Sequence, residues 1–158
     1  AYAAGQQVPN IIGMAFSYIT TTAVLYPAIA VSILLFAKSG RLRTVGKVAV
    51  APAFFGISEP LIFGLPIVLN PLILIPWLIA PALNFFVGYV LVSTGLVARA
   101  AGVIVFNVPM IFTGFLNGSY TISLMKIGLF MLDILLFFPF IKILDKKYSA
   151  EEQAEIQE

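Results

Sequence analysis

Between Met14 and Ala37 the chain is almost wholly apolar and carries no charge. As a helix this run reaches about 36 Å, enough to cross a hydrocarbon layer of about 30 Å with some tilt. Pro27 predicts a kink in it, which a membrane helix tolerates when neighbours satisfy the freed carbonyl. Residues 72–98 have the same character, and 120–141 are apolar but for Lys126 and Asp133. The chain is 61% hydrophobic and 10% charged, whereas soluble domains are roughly half apolar and about a quarter charged. A chain this small cannot hide so much apolar surface in its own core. The excess must face lipid or other membrane helices.

The runs between these spans differ. Residues 48–69 contain Pro52, Pro60 and Pro66, with Gly56 and Gly64 between them. Each proline removes a helix hydrogen bond, and each glycine loosens the backbone. Broken backbone at membrane depth survives only where protein or a water-filled cavity surrounds it. The segment therefore reads as a re-entrant hairpin. Residues 100–118, with Gly102, Pro109, Gly114 and Gly118, read as an interfacial or partly inserted segment. The fold class is all-α integral membrane, with about three transmembrane helices, the hairpin and the interfacial segment. Residues 149–158 are rich in Glu and Gln without an apolar stripe, and read as a frayed cytoplasmic tail.

Charge sets the orientation. Lys38, Arg41, Arg43, Lys47, Lys142, Lys146 and Lys147 are seven of the nine basic residues. All fall on one side if 48–69 enters and leaves by the same face, and the positive-inside rule makes that face cytoplasmic. A full crossing by 48–69 would break the bias. The net charge of +2 makes no nucleic-acid surface. With no Cys and no His, thiol chemistry, histidine base catalysis and the usual zinc sites are excluded within this chain. No metal or cofactor is expected. The opening Ala1-Tyr2-Ala3-Ala4 lacks a methionine and a signal peptide, and reads as an interior point of a longer protein.

Two acids fall at membrane depth, Glu59 and Asp133. An ionised acid there costs about 2.5–3.5 kcal/mol on insertion scales, which marks it as a functional candidate. Glu59 sits at the broken point, in Gly56-Ile57-Ser58-Glu59-Pro60. Pro60 biases it away from helix, so that its carboxylate is aimed from a turn. There it can accept two sugar hydroxyls, or it can cap a hairpin helix or pair with a buried cation. Asp133 shares a helix face with Lys126, and an ion pair with Lys126 or Arg99 is the expectation. Asn70, Asn84, Asn107 and Thr113 can supplement a sugar site or bond between helices. Phe54, Phe55 and Trp77 can stack on a sugar or simply pack. Gly46, Gly56 and Gly64 are either hinge points or places of close approach.

The run from Phe55 through Ser58-Glu59-Pro60-Leu61-Ile62-Phe63-Gly64-Leu65-Pro66 to Asn70-Pro71 resembles a family signature. It is that of the lactose/cellobiose (diacetylchitobiose) family of phosphotransferase-system IIC subunits, N-E-P-x-I-F-G-L-P-I-V-x-N-P. The basic loop Lys38 to Lys47, the stretch Pro109 to Leu116, and Phe138-Pro139-Phe140 with Asp145-Lys146 also resemble that family. The resemblance covers nearly the whole chain. It implies a dimeric membrane subunit in which 1–148 form the later part of a helical transport domain with its second hairpin. Glu59 falls on the motif glutamate, implied to be catalytic and substrate-binding, with Ser58 and Asn70 as further substrate contacts. The implied partners are a β-linked disaccharide, a phosphorylated IIB subunit and the lipid bilayer of the bacterial inner membrane. The IIB–IIC complex of the family phosphorylates sugar, while this subunit mainly translocates it. Two departures stand out: Ser58 replaces the usual Asn, and the family's upstream sugar-site histidine has no counterpart here. A secondary transporter or channel using Glu59 as a proton or cation site, and an inactive membrane fragment, are the competing readings.

Overall fold

A computed structural model describes residues 10–105 and 108–157. Helices α1 (Met14–Thr20) and α2 (Thr22–Phe36) make one apolar rod interrupted at Thr21. Pro27 lies inside α2, so the interruption falls before it and not at it. Its cause is local. The hydroxyls of Thr20 and Thr21 donate back to the carbonyls of Phe16 at 2.9 Å and Ser17 at 2.6 Å, a pattern that bends helices. The rod is the centre of the molecule. Val24, Ala28, Ile29, Ala30 and Ile33 are all fully buried.

The hairpin begins earlier than its composition predicts. Helix α3 (Gly40–Phe54) starts inside the basic cluster, and α4 (Glu59–Gly64) returns from it, followed by a short 3-10 turn, Ile67–Leu69. The reversal is closed by the amide of Gly56 on Ala53 at 2.9 Å and that of Ile57 on Pro52 at 3.0 Å. Gly56 has φ +82°, a conformation only glycine adopts without strain. The other two glycines serve close approach. A Cβ on Gly46 would lie 2.9 Å from Ile33 Cγ2, and one on Gly64 would lie 2.8 Å from Val45 Cγ1. Of the three, only Gly56 is a turn residue.

Helix α5 (Pro71–Ser93) contains Pro76 and Pro81. It ends five residues short of the expected 98, where Thr94 donates to the Val90 carbonyl at 2.9 Å and Gly95 turns at φ +79°. The segment expected to be interfacial resolves into irregular chain and a short helix, α6 (Met110–Leu116). Asn117 holds it together. Its amide donates to the carbonyls of Val103 and Thr113, both at 2.9 Å, and its oxygen accepts from the Val103 amide at 3.1 Å. Asn107 lies outside the described residues.

Helix α7 (Tyr120–Gln157) has 38 residues. At 1.5 Å each it is about 57 Å long, well beyond the thickness of a bilayer core. The expected frayed tail from 149 is therefore corrected: the helix continues through it. Its side chains find partners on α3, described below. Helix α7 packs along α2 and also against α5, α6 and α3. Two apolar cores result. One joins α2, the hairpin and the second half of α7, around Ile29, Leu61, Leu65 and Phe137. The other joins α1, α5, α6 and the first half of α7, around Phe16, Ile19, Ile122 and Leu129.

The architecture is all-helical among the described residues, and three rods are long and apolar enough to cross a membrane: Met14–Phe36, Pro71–Ser93 and the helix from Tyr120. Their burial differs, at 67% for the first against 28% and 33% for the other two. Helices α5 and α7 thus present Leu78, Phe86, Leu124 and Leu135 outward, as an apolar environment requires.

Candidate functional site

The hairpin places Ser58 and Glu59 side by side at the head of α4. Ser58 is the N-cap residue. Its carbonyl accepts from the amides of Leu61 and Ile62, both at 3.0 Å, while its half-buried hydroxyl makes no capping bond. Glu59 is the first helical residue, and Pro60 follows in the first turn. The expectation that Pro60 would hold Glu59 out of the helix is corrected. In the first turn a proline lacks only an N–H that has no helical acceptor, so the helix starts across it.

The Glu59 side chain is exposed, and no hydrogen bond or ion pair reaches its carboxylate from the described residues. Among the described residues it caps no helix and neutralises no buried cation. The first turn of α4 is nonetheless a favourable place for a negative charge. Tyr18 of α1 lies against the hairpin turn. Its hydroxyl approaches Gly56, at 3.3 Å from where a Cβ would stand. Sequence reading missed Tyr18, since one tyrosine within an apolar helix carries no pattern of its own.

Asn70 stands at the far end of the hairpin arm, past the 3-10 turn. Its Oδ1 accepts from the Leu72 amide at 3.2 Å and so caps α5. Asn at the cap with Pro71 at the first helical position is a standard helix start. No hydrogen bond joins Asn70 to Ser58 or Glu59. Of the aromatic candidates, Phe54 packs at 6.0 Å on Phe130, Trp77 packs against the first core, and Phe55 is exposed.

Asp133 and Lys126 are both fully buried, and they do not pair with each other. Asp133 Oδ2 accepts from the Asn84 amide at 2.8 Å, between α7 and α5. Lys126 donates to the Thr113 hydroxyl on α6, which in turn donates to the Met110 carbonyl at 2.7 Å. The expected ion pair is thus replaced by two separate bonds to neutral side chains. Two turns of helix part the charges, and each finds a closer partner on the helix packed opposite. Asn84 and Thr113 hold helices together and do not converge on Glu59.

Comparison with known proteins places this geometry. The model of the phosphotransferase-system EIIC family matches residues 1–81, a stretch that includes the hairpin and Glu59. The chain is 38% identical to the oligo-beta-mannoside-specific EIIC component of Bacillus subtilis (strain 168), over 98% of this chain and 36% of that protein. It is 33% identical to a lactose-specific EIICB component of Lacticaseibacillus casei, over 98% of this chain and 28% of the relative. The crystal structure of ChbC, the IIC component of an N,N'-diacetylchitobiose-specific phosphotransferase system, superposes with a TM-score of 0.91 at 37% identity. That match covers 97% of this chain and 37% of ChbC. The chain spans about a third of the length of the curated relatives it matches.

Proposed function

Since this chain belongs to the phosphotransferase-system EIIC family, we propose that it forms the later part of a sugar-translocating subunit and that Glu59 binds the sugar. The observation that carries the reading is the Glu59 carboxylate itself. It stands at a break in the helical structure, beside the free-standing hydroxyl of Ser58, with no partner among the described residues. A carboxylate so placed accepts two vicinal hydroxyls as charge-assisted bonds, roughly twice as strong as neutral ones. Asn70 contributes its amide nitrogen while its oxygen holds the start of α5.

The substrate is a β-linked disaccharide, in keeping with the oligo-beta-mannoside and diacetylchitobiose named for the relatives. The hairpin α3–α4 is re-entrant from the cytoplasmic side of a bacterial plasma membrane that the subunit crosses several times. The full-length protein works as a homodimer with a phosphorylated IIB partner, a pairing that the fused EIICB relatives support. In the transfer, a sugar hydroxyl oxygen bonds to phosphorus as the bond from phosphorus to the IIB thiolate breaks. The hydroxyl proton passes to Glu59. The contribution of this chain is positioning, the main lever in phosphoryl transfer.

Binding of labelled cellobiose, diacetylchitobiose and lactose to the full-length protein tests this. One of them binds saturably, and Glu59→Gln abolishes that binding while the protein stays folded. Binding indifferent to Glu59→Gln removes the residue from the site. Uptake that needs no phosphoryl donor would make the protein a channel or secondary transporter.

A further inference from the structure

Helix α3, the first arm of the hairpin, is capped by another helix. The amides of Lys38 and Ser39 both donate to Asp145 Oδ1 at 2.8 Å. The next two, of Gly40 and Arg41, donate to Glu152 Oε2 at 3.2 Å and Oε1 at 2.8 Å. Four successive amides at one helix start are thus satisfied by two carboxylates, more than 100 residues away in sequence. Ser39, the residue placed to cap α3, makes no capping bond of its own to the helix. Asp145 and Glu152 are two turns apart on one face of α7, which lets both reach α3. The Arg41 guanidinium adds a contact, 4.6 Å over the Tyr148 ring.

The charges explain why such a clasp is needed. Lys38, Arg41 and Arg43 crowd the N-terminal end of α3, where the helix dipole is already positive. Local residues give no compensating acid. Asp145 and Glu152 supply it from α7, and so decide where α3 begins. From there α3 runs about 23 Å as a rigid arm. It bears on α2 where Gly46 meets Ile33 and Leu34, and it carries α4 where Gly64 meets Val45. A shift at the clasp end turns the arm about Gly46 and moves the head of α4, where Glu59 stands.

We propose that Asp145 and Glu152 are positioning residues for Glu59, holding the hairpin at the depth and tilt that suit the sugar. The inference rests on the reading of Glu59 as the sugar ligand. It assigns to the end of α7 a part in substrate affinity, at a distance from the site.

Equilibrium binding of the labelled disaccharide to the full-length protein tests it, because affinity and number of sites are read separately. Asp145→Ala with Glu152→Ala raises Kd roughly five- to tenfold with the number of sites per folded protein retained. Glu151→Gln, which touches only the exposed ion pair to Arg41 at 3.9 Å, leaves Kd unchanged. Fewer sites at an unchanged Kd would show that the clasp merely holds the fold, and would overturn the inference. Should the double variant not be recovered folded, Glu152→Ala alone gives a smaller rise in the same direction, and an unchanged Kd there overturns it too. An unchanged Kd beside a Glu59→Gln variant that no longer binds leaves the sugar-site reading standing. Absence of saturable binding to the unsubstituted protein sinks both.

Discussion

Lys126 and Asp133 in the first half of α7, and Asp145 and Glu152 in its second half, are two pairs with the same seven-residue spacing. Both members of the first pair are fully buried, and among the described residues each has one neutral partner: Thr113 for Lys126, Asn84 for Asp133. The second pair accepts from four backbone amides. In the first half the carboxylate oxygen Asp133 Oδ1 and its neighbour Asn84 Oδ1 are buried without a partner. In the second half Asp145 is buried less completely, 7% exposed against 0% for Asp133, and is doubly bonded through one oxygen. The same helix therefore anchors α6, α5 and α3 in turn. Where the side chains are fully buried, an anchor is a single bond whose loss strands a polar group. Toward the C-terminal end of the helix, an anchor is a cap that shares its load.

The largest effect expected from this contrast is at Asn84. Asn84→Leu removes the one donor among the described residues that reaches Asp133, and leaves the buried carboxyl without it. The cost is about 2–4 kcal/mol, that of stranding a buried polar or charged group and not the small worth of one membrane hydrogen bond. Adding Asp133→Leu recovers most of it, because no polar atom is then left behind. Thermal unfolding of the two variants in detergent reads both numbers. A harmless Asn84→Leu would mean that Asp133 finds another donor, and the contrast between the halves of α7 would fail.

A smaller effect separates the halves by pH. Burial alone would push Asp145 up, but the amides of Ser39 and Lys38 and the nearby charge of Lys142 outweigh it and hold the carboxyl below its usual value. A group depressed by folding adds stability that is complete above its unfolded pKa, about 3.9 for Asp. That contribution is lost as pH falls from there through the folded value. Below about pH 4 the thermal midpoint should therefore drop more steeply in the unsubstituted protein than in Asp145→Asn. Equal slopes would mean that Asp145 is not a capping carboxylate.

How far this was legible follows from the same residues. The apolar runs at 14–37, 72–98 and 120–141 announce three rods because length and hydrophobicity are local properties. The hairpin is legible as a break, since proline and glycine act on their own backbone. The order of residues 149–157 was not legible. Ala-Glu-Glu-Gln-Ala-Glu shows no apolar stripe, and what orders it is a set of amides more than 100 residues earlier. The pairing of Lys126 with Asp133 failed for a similar reason. Spacing along one helix says which residues share a face, but not what the opposite helix offers them. Asn117 carries a legible signal, since Asn117-Gly118 just past a short apolar run marks a helix end, but its bonds to Val103 belong to the fold. At the site, the motif identifies Glu59 through resemblance. Its exposure, and the capping role of Asn70, are properties of the fold.

Glu59 contrasts with Asp133, the other acid that the sequence sets within an apolar run. Asp133 is fully buried and bonded, whereas Glu59 is exposed and unbonded among the described residues. If Glu59 serves the sugar and not the fold, Glu59→Gln leaves stability without ligand within about 0.5 kcal/mol, the range of a surface substitution away from special contacts. The small favourable term of an acid in the first turn is the most that can be lost, and α4 has only six residues to generate it. The sugar should still raise the thermal midpoint of the unsubstituted protein and fail to raise that of Glu59→Gln, because stabilisation by a ligand requires its binding. A midpoint that falls by several degrees without any sugar would put Glu59 in the same class as Asp133, as an acid kept for the fold.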